Sequence, residues 1–150
     1  MICLDLDHFK HINDEYGHLM GDQVLKEIGT RLKAALPSGD LVARVGGDEF
    51  LLLMHVNSSE SEMESSALKI LALVEQPLKL GEQTLLLTAS MGCAVYPANG
   101  ADPAALLENA DSAMYSAKLT RTNVQFFKAE IAKHPKIRMS NEIWHAVDRH

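Results

Sequence analysis

Cysteine is scarce. There are two in 150 residues, Cys3 and Cys93, each inside an apolar run and neither in a CxxC spacing. That pattern favours buried thiols in a reducing cytosol over a disulfide. Long hydrophobic runs are also missing, and none approaches the roughly 18 residues that a membrane span needs. The start, MICLDLDHFK, has acids at positions 5 and 7 and no basic lead, which excludes a signal peptide. Positive charge is in deficit: 14 Lys and Arg against 20 acids give a net charge of −6. Duplex nucleic acid is a poor partner for such a chain, because that binding rests on phosphate neutralisation. A nucleotide whose charge is carried by metal ions is not excluded. Neither GxxxxGKS, GxxxxGKT nor GxGxxG occurs, so a nucleotide would bind by another route. His8, His11 and His18 lack the further ligands that complete a zinc site. No Ser/His/Asp arrangement stands out, and neither cysteine has an evident activating base.

What remains is one domain's length with 47% hydrophobic residues, enough for a sizeable core. Met1–Leu6 reads as a buried strand interrupted by Asp5. His8–Gly17 reads as a loop or short helical turn. Val24, Leu25, Ile28, Leu32 and Leu36 have helical spacing over 18–36, closed by Pro37-Ser38-Gly39. Strands over 41–45 and 50–56 flank Gly46-Gly47-Asp48-Glu49. A second helix spans 58–75, with Met63, Ala67, Ile70, Leu71 and Val74 as its stripe. A hairpin follows, its second strand running unbroken from Thr84 to Tyr96. Asp102-Pro103 is a strong start for a third helix, and Asn123–Phe127 is a last strand. The order β-α-ββ-α-ββ-α-β predicts an α+β or α/β sheet, partly antiparallel, with helices packed on it. Residues 128–150 read as a tail or linker, with a helix from Ser140.

Acids within or beside apolar strands bear on chemistry. Asp5 must be solvated at an edge, paired or bound to metal. Asp48 and Glu49 stand at a hairpin tip, where Gly-Gly and Asp are also ordinary turn residues. Both readings of GGDE stay open on residues alone, as does a solvated strand end for Asp5 and Asp7. If β-pairing brought Asp5 beside Asp48, their oxygens would suit magnesium, which takes one or two carboxylates plus substrate phosphates. Asn13 and Asp22 are candidates to read a purine edge and Lys10 to meet a phosphate. Each is equally at home as a loop or helix-start residue.

Four stretches in order, DLDHFKHINDEYGHLMGDQVL (5–25), LVARVGGDEFLLL (41–53), TASMGCAVYP (88–97) and NADSAMYSAK (109–118), resemble the GGDEF family of diguanylate cyclases. The resemblance spans residues 2 to about 127. It implies a palm-like fold with a central, mostly antiparallel sheet flanked by helices, similar to class III nucleotide cyclases. It implies a diguanylate cyclase domain over 1–127, condensing two GTP into cyclic di-GMP with release of pyrophosphate across a homodimer. It makes Asp5, Asp48, Glu49 and the backbone of Leu6 the ligands of Mg²⁺ (or Mn²⁺), with Asp48 and Glu49 catalytic. Asn13 and Asp22 would bond guanine, and Gly46 and Gly47 would make room for the ligand. Lys10, Lys118 and the backbone at His8 and Phe9 would meet the phosphates. It further implies a bacterial cytoplasmic setting, with a sensor or phosphodiesterase domain adjacent in the full-length protein and membrane anchoring through other segments. A catalytically weak GTP-binding module controlling such a phosphodiesterase domain is the alternative it allows.

Three departures stand out against the family pattern. The DxLTxLxNR segment is not seen before the first strand, which implies exposed core surface and lower stability. The usual KxxGRN or KxxGKN reads Lys118-Leu119-Thr120-Arg121-Thr122-Asn123, with Arg121 at the glycine and Thr122 at the basic position. The RxxD product site reads Pro37-Ser38-Gly39-Asp40, and proline offers no cation, which implies no strong product inhibition through it.

Overall fold

The computed structural model describes residues 1–56 and 59–129. The tail beyond, including the helix expected from Ser140, lies outside them. The architecture is α+β. A five-stranded sheet runs in the order β2-β3-β1-β6-β7, built from β1 (Ile2–Leu6), β2 (Leu41–Gly46), β3 (Glu49–Leu53), β6 (Ala89–Cys93) and β7 (Val124–Phe126). Every pairing is antiparallel except β6 with β7. The sheet carries α1 (Phe9–Tyr16), α2 (His18–Ala35), α3 (Glu60–Val74) and α4 (Pro103–Thr120), and β4 (Leu78–Leu80) and β5 (Gln83–Leu85) form a separate hairpin.

The central strand β1 is buried along its whole length, because both faces of the sheet are covered. Alternation sends Ile2, Leu4 and Leu6 into a core shared with α2 and α3, where Val24, Ile28, Leu32, Ala67 and Val74 are fully buried. Cys3 points the other way, into a smaller core with Leu51 and the α4 residues Leu106, Leu107, Ala110 and Met114. The two cysteines are free thiols in different cores. Burial pushes Cys93 up to about 12 and Cys3 upward as well, so both are protonated and unreactive. Gly92 is paired with Cys3 and has no side chain for a reason. A Cβ there would overlap the carbonyl of Ala110 and the amide of Met114, so this glycine lets α4 lie directly on the sheet.

Helix starts follow the local chemistry. Ser59 caps α3 by accepting from the Glu62 N–H at 3.2 Å, and Asp102 caps α4 by accepting from Ala105 N–H at 2.8 Å, with Pro103 in the first turn.

Two expectations are corrected. Residues 9–16 form a true helix rather than a loop or single turn. Phe9 and Ile12 are buried on one face of it, and Gly17, at φ 85°, ends it by donating its N–H to the Asn13 carbonyl. The long strand from 84 to 96 is broken into two. Gln83–Leu85 pairs with β4, and Ala89–Cys93 joins the central sheet. Between them Leu86 is 75% exposed while Leu87 is buried and Thr88 turns its hydroxyl to Asp7. A run of apolar residues thus hides a change of sheet. Smaller differences are that β3 begins at Glu49 and ends at Leu53, short of the expected Val56.

Candidate functional site

The site forms where β1 ends beside the β2–β3 turn. Asp5 is paired in register with Glu49, and the Leu6 N–H donates to the Asp48 carbonyl at 3.2 Å. That bond extends the β1–β3 ladder into the turn and pins Asp48 next to Asp5. A register shift between Arg44 and Gly46, with Gly47 at φ 39°, bends the tip. Gly46 and Gly47 are exposed, and a Cβ on either would meet nothing within 4 Å, so the tip is open to solvent.

Asp5 shares the sheet face of Cys3, the face covered by α4. The stripe Ala110, Met114 continues one turn on to Lys118, whose ammonium donates to Asp5 Oδ2. Asp5 is 6% exposed. Burial pushes its carboxyl up to about 7; the Lys118 hydrogen bond and charge oppose that, and the Asp48 charge adds to it. Burial pulls the Lys118 ammonium down, but Asp5, Asp48 and Asp7 outweigh it and leave it raised. Glu49 is raised by burial and by Asp48, against Lys118.

Asp5 Oδ1 is buried and accepts no hydrogen bond from the described residues. A buried carboxylate oxygen without a donor is costly, and a cation is one group that can complete it. Among the described residues no three His, Cys, Asp or Glu side chains cluster as a ready-made metal cage. The available set is hard oxygen: Asp5, Asp48, Glu49 and the Leu6 carbonyl. It fits a cation such as magnesium, which keeps waters and takes its other ligands from substrate phosphates.

Beside the acids lies a cleft of about 590 Å³ lined by Asp7, His8, Ser90, Lys118, Arg121 and Asn123, among others. Asp7 is read in the sequence as a solvated strand end and given no site role. Both of its oxygens are held, by the Thr88 hydroxyl at 2.8 Å and the Ser90 hydroxyl at 2.7 Å. Arg121 adopts φ 55°, ψ 31° after α4. Its N–H bonds the Lys118 carbonyl at 3.4 Å, and the Thr122 N–H bonds the Ala117 carbonyl at 3.0 Å. This is a Schellman closure, whose left-handed residue is usually glycine. A residue with a Cβ in that conformation costs of order 1–2 kcal/mol.

The remaining expected residues divide. Asn13 packs against the start of α2: a Cβ on Gly21 would overlap its Oδ1, so Asn13 stands next to Gly21-Asp22. Asn13 is half-buried and Asp22 exposed. His8 is left-handed at φ 56° just before α1 and lines the cleft, whereas the Phe9 side chain is in the core, so only its backbone can serve a ligand. Lys10 is exposed on α1 and does not line the cleft. Asp40 does not offer its carboxylate outward; Oδ1 accepts the His55 backbone N–H at 3.0 Å, and that side chain is 4% exposed.

The family model described as "Diguanylate cyclase, GGDEF domain" matches residues 1–124. The chain is 42% identical over 118 residues to the Escherichia coli protein named cyclic di-GMP phosphodiesterase PdeR, covering 79% of this chain and 18% of that one. It is 42% identical over 119 residues to diguanylate cyclase TpbB of Pseudomonas aeruginosa, covering 79% of this chain and 27% of that one. This chain therefore spans about a fifth to a quarter of those relatives. The crystal structure of the GGDEF domain of the latter protein superposes with a TM-score of 0.81 at 38% identity, covering 86% of this chain and 81% of that one.

Proposed function

The chain belongs to the GGDEF domain family, and on that premise we propose that it is a diguanylate cyclase domain, condensing two GTP into cyclic di-GMP with release of pyrophosphate. The observation that carries this reading is the pinning of Asp48 against Asp5, whose buried Oδ1 accepts no hydrogen bond from the described residues. Asp5, Asp48, Glu49 and the Leu6 carbonyl are the residues to hold Mg²⁺ or Mn²⁺. Such ions supply charge neutralisation and a lowered pKa for an attacking hydroxyl.

The chain's own residues do the rest. Asn13 and Asp22 bond the guanine edge from the α1–α2 crossing. The exposed glycines of the turn let the ribose and α-phosphate come close. Glu49, half-buried and raised, takes the proton as the 3′-oxygen of one GTP bonds the α-phosphorus of the other. The bond from that phosphorus to the β-phosphate bridging oxygen breaks, and pyrophosphate leaves. The same exchange in the opposite sense closes the ring. Because each domain holds one GTP, turnover needs two domains face to face, and positioning supplies much of the rate. The domain occupies residues 1–127, with 128–150 leading onward.

A second reading is a GTP-binding regulatory module beside a phosphodiesterase domain. It is favoured by one observation: the relative PdeR, matched over 118 residues, is named for phosphodiesterase activity. Incubation with GTP and Mg²⁺ separates the two. The cyclase reading expects cyclic di-GMP and pyrophosphate from the wild-type chain, and at least a roughly hundred-fold loss in Asp48→Ala. A folded, dimeric sample that binds GTP and yields no product establishes the module instead.

A further inference from the structure

We propose that Arg121 is the polyphosphate-binding cation of this site, reaching the cleft from the C-terminal end of α4 in place of a basic residue at 122. The inference rests on the nucleotide-binding reading above and concerns which residue meets the phosphates.

Three observations converge. Among the described residues, His8 and Arg121 are the non-glycine residues with left-handed backbone, and both line the same cleft. Strained backbone of this kind persists where a side chain is needed in place. At Arg121 the strain has an obvious relief, since the Schellman closure accepts glycine without cost. An arginine there holds its position against the backbone's preference.

The second observation is that four of the cleft's other side-chain donors are committed, while the His8 imidazole lines it without a hydrogen bond among the described residues. The Lys118 ammonium is paired with Asp5, and the Ser90 hydroxyl donates to Asp7 at 2.7 Å. Thr122 shares a hydrogen bond with the Thr120 hydroxyl at 2.8 Å. The Asn123 amide donates to Glu75 and to the Ala89 carbonyl, each at 3.3 Å. Arg121 enters no ion pair among the described residues, although it lines the cleft.

The third is charge. Asp5, Asp7, Asp48 and Glu49 give this end of the molecule a carboxylate excess that Lys118 offsets by one. A polyphosphate approaching it needs a further cation from the protein, and a guanidinium can engage two phosphate oxygens at once. Placed three residues after Lys118, Arg121 faces the same cleft from the next turn of the chain.

The test uses the whole 150-residue chain and two probes, inorganic tripolyphosphate and GTP, each titrated by calorimetry with Mg²⁺ present. Arg121→Gly should weaken binding of both by about ten-fold or more. In the ligand-free protein the same change should raise Tm by about 2–4 °C, because it removes the strained Cβ. Arg121→Lys, which keeps charge and strain but loses the fork, should fall between on affinity and melt as wild type does. A purely structural residue would not move stability and affinity in opposite directions. Unchanged affinity for both probes in Arg121→Gly overturns the proposal and leaves the cyclase reading standing. Failure of the wild type to bind either probe overturns both. Arg121-dependent tripolyphosphate binding with no added affinity for GTP supports Arg121 and overturns the guanine site.

Discussion

Asp5 is held in a position that is costly for a charge. It is nearly enclosed between β3, β6 and α4, and one oxygen has no donor among the described residues. Its carboxyl is raised by burial, so the native state binds a proton more tightly than the unfolded chain, whose aspartates titrate near about 4. The sign follows: from about pH 4 to about 7 the folded state carries the extra proton, and stability from this group falls as pH rises through that window. Asp5→Asn should therefore flatten that part of the profile, because the group that takes up the extra proton is gone. Denaturant unfolding at pH 5 and pH 7.5 checks this; equal or greater pH dependence in the variant contradicts it. This residue was legible because an acid inside an apolar strand demands a partner. Asp7 was not, because its hydroxyl partners Thr88 and Ser90 are about 80 residues away and only the fold brings them near. Nor could the sequence tell that Lys118 would lie on Asp5 as well as beside the cleft.

Among the elements, α4 sets the site, since it carries Lys118 and ends in Arg121. Its seat on the sheet depends on Gly92, where the helix backbone approaches too closely for any side chain. Gly92→Ala should lift α4 and cost roughly 1–3 kcal/mol, as overpacking does. It should also weaken GTP binding, because Lys118 and Arg121 move with the helix. Paired melting and binding curves test this, and a variant as stable as wild type would remove α4 seating from the account. Periodicity and caps made α2, α3 and α4 readable in advance, because each has a buried stripe and a start signal or a breaker at one end. Helix α1 was not readable: eight residues give only Phe9 and Ile12 as buried anchors, and its packing on α2 through Gly21 is a tertiary contact. The break at 86–88 escaped notice for a related reason. Leucine suits either sheet, so an apolar run does not record where the chain leaves one and enters the other.

At the scale of the whole molecule, the antiparallel pairing of β1 with both β3 and β6 makes the site. It carries an acid from the first strand to the tip of a hairpin more than 40 residues later, and lays the end of α4 across them. Among the described residues no helix is long and apolar enough to cross a membrane. The domain's role depends on whether this junction takes up a divalent cation together with a guanine nucleotide. The most direct measurement is Mn²⁺ binding by electron paramagnetic resonance, with and without a non-hydrolysable GTP analogue, in the wild type, Asp5→Asn and Asp48→Asn. We expect nucleotide-dependent Mn²⁺ uptake by the wild type and its loss, by about ten-fold or more in affinity, in either variant. Equal uptake by all three proteins, or none that responds to the nucleotide, would contradict the shared site.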